Sequence, residues 1–165
     1  IKLANHHPRV NILQPGTGVG GHCIAVDPLF IVAADSKNSN LIKMARNVND
    51  SKPKWVVKKI KEKLTGTDGL NLKVACLGLA FKPDIGDLRE SPALLVVEKL
   101  VAEGYNVCVV ETNSSSHSSI KLITIDQLSS CDVIVVLVKH KEFNTLEQKN
   151  YLLANGALDF CGLLS

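Results

Sequence analysis

A chain of 165 residues with 45% apolar and 21% charged side chains has the size of one ordinary domain, or of one and a half small ones. The make-up is that of a soluble globular protein and excludes a disordered chain. Its longest apolar run, Val133 to Val138, is far short of the roughly 20 residues that span a bilayer, which argues against a transmembrane helix. The net charge of +3 is too small to point to nucleic acid, although Lys37 to Lys63 carries nine Lys or Arg against only Asp50 and Glu62. With helical spacing and little aromatic interleaving beyond Trp55, that stretch reads as a solvated helix face.

The start at Ile1, without Met or a basic-then-apolar leader, leads us to expect a piece of a longer polypeptide with neither signal peptide nor membrane anchor. Ile1 to Asp35 is loop-rich, with Pro8, Pro15 and Pro28 and four glycines between Gly16 and Gly21. Ser39 is a candidate N-cap for a helix whose apolar face runs through Leu41, Ile42, Met44, Ala45 and Val48. Pro53 fits the first turn of a continuing helix, on which Trp55, Val56, Val57, Ile60 and Leu64 extend the face to Gly66. This stripe suggests a connector that also forms a dimer interface. Thr65 to Leu70 is the best linker, so we expect a central segment over 1–66 and a second unit over 72–165.

The second unit alternates in type: a strand over Lys73–Ala80, an amphipathic helix over Ser91–Glu103 and a strand over Asn106–Glu111. An exposed low-complexity loop over Ser114–Ser119 follows, then a short helix over Ile125–Ser130 and strands over Asp132–Val138 and Ala157–Phe160. Strands that are apolar throughout and separated by helices predict a parallel sheet covered on both faces. The fold class expected is therefore α/β, a Rossmann-like parallel sheet domain preceded by a helical connector.

Five cysteines without CxxC or Cys/His ligand spacing argue against a zinc site and a disulfide framework, and for a reducing, cytoplasmic setting. Cys76, Cys108 and Cys131 read as small buried hydrophobes. Cys23 differs, because it follows Gly20-Gly21-His22; glycine-flanked backbone N–H groups there would favour a thiolate. Asp27 lies four residues on, one turn away if the segment is helical, where it could handle a water. From spacing alone a structural cysteine is the commoner reading, and His22 is a candidate base against the plain reading of an exposed histidine. Gly16 to Gly21 contains a GxGxxG match, but Pro15 and Pro28 spoil its strand-and-helix context, so a loop along another phosphate or sugar, or a structural turn, is preferred to a dinucleotide site. Phe81 to Ser91 follows the first strand of the second unit, where open α/β sheets bind ligands. It carries Lys82 and Arg89, suited to phosphate or carboxylate, with Asp84, Asp87 and Glu90 to hold them; alone, it would read as a salt-bridged surface loop.

Gly18-Val-Gly-Gly-His-Cys-Ile-Ala-Val-Asp-Pro28 and Gly78-Leu-Ala-Phe-Lys-Pro-Asp-Ile-Gly-Asp-Leu-Arg-Glu-Ser-Pro92 together resemble the UDP-glucose/GDP-mannose dehydrogenase family. The similarity extends over nearly the whole chain but only the rear part of the family's, whose N-terminal dinucleotide-binding domain would precede Ile1. The resemblance implies two-step oxidation of the C6 alcohol of a UDP-sugar to a carboxylate, with NAD as hydride acceptor. It implies Cys23 as the nucleophile that forms a thiohemiacetal and then a thioester, and Asp27 as the carboxylate that assists hydrolysis. Lys82 matches a substrate-contacting lysine, Gly18, Val19, Gly20 and Gly21 the loop along the nucleotide-sugar, and Arg89 an arginine that reaches NAD. Arg9 looks like an arginine that contacts substrate across a homodimer. A thiol suits the chemistry, since it can hold the aldehyde covalently while a second NAD replaces the spent one, and its thiohemiacetal can then surrender hydride to give a thioester. The rival expectation is a non-catalytic nucleotide-binding or dimerisation module of the same fold; nucleic acid, membrane and metal are not expected.

Overall fold

The computed structural model describes residues 1–64, 70–113 and 120–165. Helices α1 (Asp27–Ala34) and α2 (Asn40–Leu64) precede strand β1 (Lys73–Leu77), helix α3 (Pro92–Ala102) and strands β2 (Asn106–Val110) and β3 (Lys121–Leu122). After a 3-10 turn at Ile125–Ser130 come β4 (Val133–Val136), a second such turn at Lys141–Asn144, α4 (Leu146–Ala154) and β5 (Leu158–Asp159). The strands form one parallel sheet in the order β3-β2-β1-β4-β5. The expected α/β, Rossmann-like architecture is the one observed.

Alternation of side chains along each strand explains why the strands are apolar throughout. Val74 and Cys76 of β1, with Val107, Val109 and Val135, face Val56, Val57, Ile60 and Leu64 of α2 and Val96, Val97 and Leu100 of α3. Ala75 and Leu77, with Cys108, Val110, Ile134 and Val136, face Leu128, Phe143, Leu152 and Leu163. The sheet is thus the middle of three layers, and the last part of α2 belongs to one outer layer. α3 begins cleanly: Ser91 Oγ accepts from Leu94 N–H at 3.3 Å, and Pro92 takes the first helical position, where no N–H is needed.

The structure departs from the sequence expectation at several points. The loop-rich start contains α1, because Pro28 sits in its first turn, where proline is tolerated. α2 is one helix of 25 residues running through Pro53, rather than a helix restarted there; the buried ring forfeits one backbone hydrogen bond. Ser39 stands at the N-cap position with its carbonyl accepting from Lys43 N–H, but its buried hydroxyl caps nothing. α4 and β3 escape the pattern, the one because only Leu152 of its nine residues is buried, the other because it is two residues long. Each predicted strand is shortened at one or both ends, and the residues beyond the C-terminal ends of β1, β2 and β4 become the loops described below. Apart from Leu70, the expected linker and the Ser114–Ser119 loop lie outside the described residues.

Candidate active site

Two distant segments meet beyond the C-terminal end of β1. The glycine loop lies against the segment Phe81–Pro92 so closely that a Cβ at Gly20 would run into the Glu90 carbonyl and stand 2.7 Å from Pro92 Cδ. A Cβ at Gly21, where φ is 95°, would approach Phe81 to 2.9 Å. Glycine is required at both places by close approach, which is the physical content of the Gly-Gly pair. Asn49 of α2 holds the same loop from the other side: its Oδ1 accepts from Val19 N–H at 2.8 Å and its Nδ2 donates to the Val19 carbonyl at 3.0 Å. Gly18 and Val19 are thereby fixed to α2.

Cys23 follows this loop and is exposed. Its carbonyl accepts from Val26 N–H at 2.9 Å and Asp27 N–H at 2.8 Å, so Cys23 and Asp27 are one helical turn apart, with Asp27 opening α1. Arg89 grips Asp87 through Nε and a terminal nitrogen, with contacts of 3.0, 3.0 and 2.6 Å. This pairing, together with the Arg89 backbone N–H, holds the Asp87 carboxyl down at about 2. The same guanidinium lies 3.3 Å from His22 Nδ1, and its pKa is raised chiefly by its hydrogen bonds to Asp87. Arg89 therefore faces the thiol loop although it stands 67 residues from His22 in the chain.

Lys82 is exposed, with its ammonium 5.8 Å from the Phe81 ring centroid and no carboxylate partner among the described residues. Arg9 is exposed in the N-terminal segment; its backbone N–H donates to His7 Nδ1 at 3.2 Å, and no described contact joins it to Cys23. Between α2 and the ends of β4 and β5, a cavity of about 450 Å³ is lined by Gln14, Pro15, Trp55, Lys139, Phe160 and Gly162. Trp55 meets Phe160 edge to face at 5.8 Å, and Lys52 lies over the Trp55 ring at 3.8 Å. Aromatic faces with nearby cations suit a base and the phosphates next to it.

Sequence reasoning missed three polar residues here. Asn49 carried one signal, an amide in mid-helix, where such side chains are unfavourable unless they bond elsewhere. Glu111 and His140 follow β2 and β4 at the carboxyl edge of the sheet, a position that itself is the signal.

A parallel sheet that carries a glycine loop, a lysine loop and an aromatic cavity at its carboxyl edge has the architecture of a nucleotide-binding α/β protein. The chain belongs to the UDP-glucose/GDP-mannose dehydrogenase family: residues 75–161 match its UDP binding domain and residues 1–51 its central domain. It is 58% identical over 152 residues to a UDP-N-acetyl-D-mannosamine dehydrogenase of Campylobacter jejuni, covering 87% of this chain and 37% of that protein. It is 48% identical over 164 residues to the protein of the same description from Escherichia coli K12, covering 91% and 39%. Among solved structures, a UDP-D-ManNAc dehydrogenase from Pyrococcus horikoshii matches all of this chain and 40% of its own, at 28% identity and a TM-score of 0.76. The UDP-N-acetyl-mannosamine dehydrogenase of Staphylococcus aureus matches 88% and 34%, at 40% identity and a TM-score of 0.66. The chain thus spans less than two-fifths of the curated relatives named here.

Proposed function

We propose that the chain is the thiol- and UDP-bearing portion of an NAD-dependent nucleotide-sugar 6-dehydrogenase, with a central segment over 1–66 and a UDP-sugar-binding unit over 72–165. The observation that carries this reading is the packing of the glycine loop that leads into Cys23 and Asp27 against the Phe81–Pro92 segment, which brings Arg89 to His22 and carries Lys82, without a carboxylate partner among the described residues. UDP-N-acetyl-D-mannosamine is the substrate favoured, on the likeness to relatives so described.

In this reading Lys82 neutralises the substrate's negative charge, and the cavity beside Trp55 takes the nucleotide. Loss of a first hydride and the hydroxyl proton turns the C6 alcohol into an aldehyde. Cys23 sulfur bonds to that carbon, its proton passing to the carbonyl oxygen, and the thiohemiacetal becomes a thioester once a second hydride and that proton have left. Asp27 then takes a proton from the water that cleaves the thioester, freeing the thiol and a carboxylate. NAD, when bound, accepts the hydride, one molecule for each of the two oxidations; an exposed guanidinium such as that of Arg89 fits its pyrophosphate from this side. Arg9 would reach the substrate of a partner copy in a homodimer. The exposed Leu41, Met44 and Val48 of α2 supply an apolar surface for such a pairing. A reducing, cytoplasmic setting accords with five free cysteines. No described helix is long and apolar enough to cross a membrane.

Titration of the chain with UDP and with duplex DNA tests the reading. UDP should bind and raise the thermal midpoint, by about 2.7 kcal/mol of added stability at a hundred times its dissociation constant. Lys82→Ala should weaken that binding. DNA binding that collapses with salt, without UDP binding, would replace this reading with a nucleic-acid one.

A further inference from the structure

Glu111 and His140 form a buried polar cluster that takes no direct part in the proposed chemistry. Both side chains are wholly buried, a placement that is costly unless every polar atom is engaged. Glu111 Oε2 accepts from Leu79 N–H at 2.6 Å and Ala80 N–H at 3.3 Å, and Oε1 from Asn113 N–H at 2.9 Å. His140 Nδ1 accepts from Asp84 N–H at 2.9 Å, with Asn113 Nδ2 a further 3.1 Å neighbour. An accepting Nδ1 places the ring proton on Nε2, which faces Glu111 Oε2 at 3.4 Å without hydrogen-bond alignment. Asp84, His140 and Glu142 could in principle share a cation, but this Nδ1 is already committed to the Asp84 amide.

These bonds all act on one segment. Asp84 has φ of 60°, a left-handed conformation that an L side chain rarely adopts, and its Oδ1 accepts from Lys141 N–H at 2.8 Å. The chain leaving β1 is therefore pinned at Leu79 and Ala80 by Glu111 and at Asp84 by His140. Lys82 stands between the two pins, and its ammonium makes no hydrogen bond among the described residues that would aim it. We infer that Glu111 and His140 are positioning residues that set the direction of Lys82 through the backbone, an inference resting on the reading that Lys82 contacts the UDP-sugar.

The test compares His140→Leu with His140→Asn, with UDP affinity of the chain as readout. Both variants lose the ring packing against Phe143, whose centroid is 5.6 Å away, but only Asn restores an acceptor near the Nδ1 position. His140→Leu should weaken UDP roughly tenfold, the scale of one lost hydrogen bond, and His140→Asn should recover most of the loss. A merely structural histidine would leave the two variants equally impaired, and that result overturns the inference. So does native affinity in His140→Leu while Lys82→Ala is weakened. A chain that binds no UDP, or whose Lys82→Ala variant binds it normally, removes the functional reading and this inference with it. In the unmodified chain, the Asp84 amide should exchange with solvent more slowly than that of Gly86; an unprotected Asp84 amide overturns the inference even if the variants do not fold.

Discussion

Cys23 owes its setting to groups that lie far along the chain. Its loop can approach Glu90 and Pro92 only because Gly20 has no side chain, and Arg89 then arrives beside His22. If the thiol is the nucleophile, Cys23→Ala in the complete dehydrogenase should abolish uronate formation with little change in thermal midpoint. An exposed cysteine contributes little to stability. Cys23→Ser should stall after hydride transfer, since an alkoxide leaves less readily than a thiolate. Asp27→Asn should slow thioester hydrolysis by about 10²- to 10⁴-fold while leaving the affinity for substrate nearly intact. Rates per folded molecule that match the unmodified enzyme would end this mechanism.

α2 is two helices in function and one in hydrogen bonding. Val56, Val57, Ile60 and Leu64 are buried against α3 and the sheet, whereas Leu41, Met44 and Val48 stand in solvent at 83%, 59% and 63% exposure. Ile60→Ala should therefore cost about 2–5 kcal/mol in a denaturant melt. Replacing Leu41, Met44 and Val48 together by Ser should leave that melt nearly unchanged yet convert a dimer to a monomer in sedimentation; a dimer that survives would remove α2 from the interface. The sequence announced the stripe but not which half was covered, because periodicity marks an apolar face without naming its neighbour. The same reasoning explains the rest. The strands and α3 were legible because Val- and Leu-rich runs alternate with a capped helix, while α4 was not, since only Leu152 of it reaches the core. Cys23, Asp27, Lys82 and Arg89 stood out as chemistry-bearing residues beside glycines and prolines. Asn49, Glu111 and His140 did not, since their partners are backbone groups 30, 32 and 56 residues away, respectively.

On the scale of the whole molecule, one buried carboxylate ties the sheet to its stability in acid. Burial alone would push Glu111 up, but His140 and the backbone N–H groups of Asn113 and Leu79 outweigh it, drawing the carboxyl from 4.5 to about 2. A carboxyl depressed in the fold stabilises it above the unfolded value and loses that contribution as pH falls. About 2 kcal/mol, allowing for solvent screening, should thus disappear between roughly pH 4.5 and 2. Glu111→Gln should flatten this part of the acid-unfolding curve, and an unaltered curve would show that other carboxylates govern it. The same carboxylate decides what the sheet can accept. In dinucleotide-binding sheets the turn after the first strand offers its free N–H groups to a pyrophosphate. Here Leu79 and Ala80 have already given theirs to Glu111, and Val138 crowds Gly78 from the side. The domain carries a resident anion where a cofactor's phosphates would dock, so a dinucleotide arriving at this turn meets a filled berth and a negative charge.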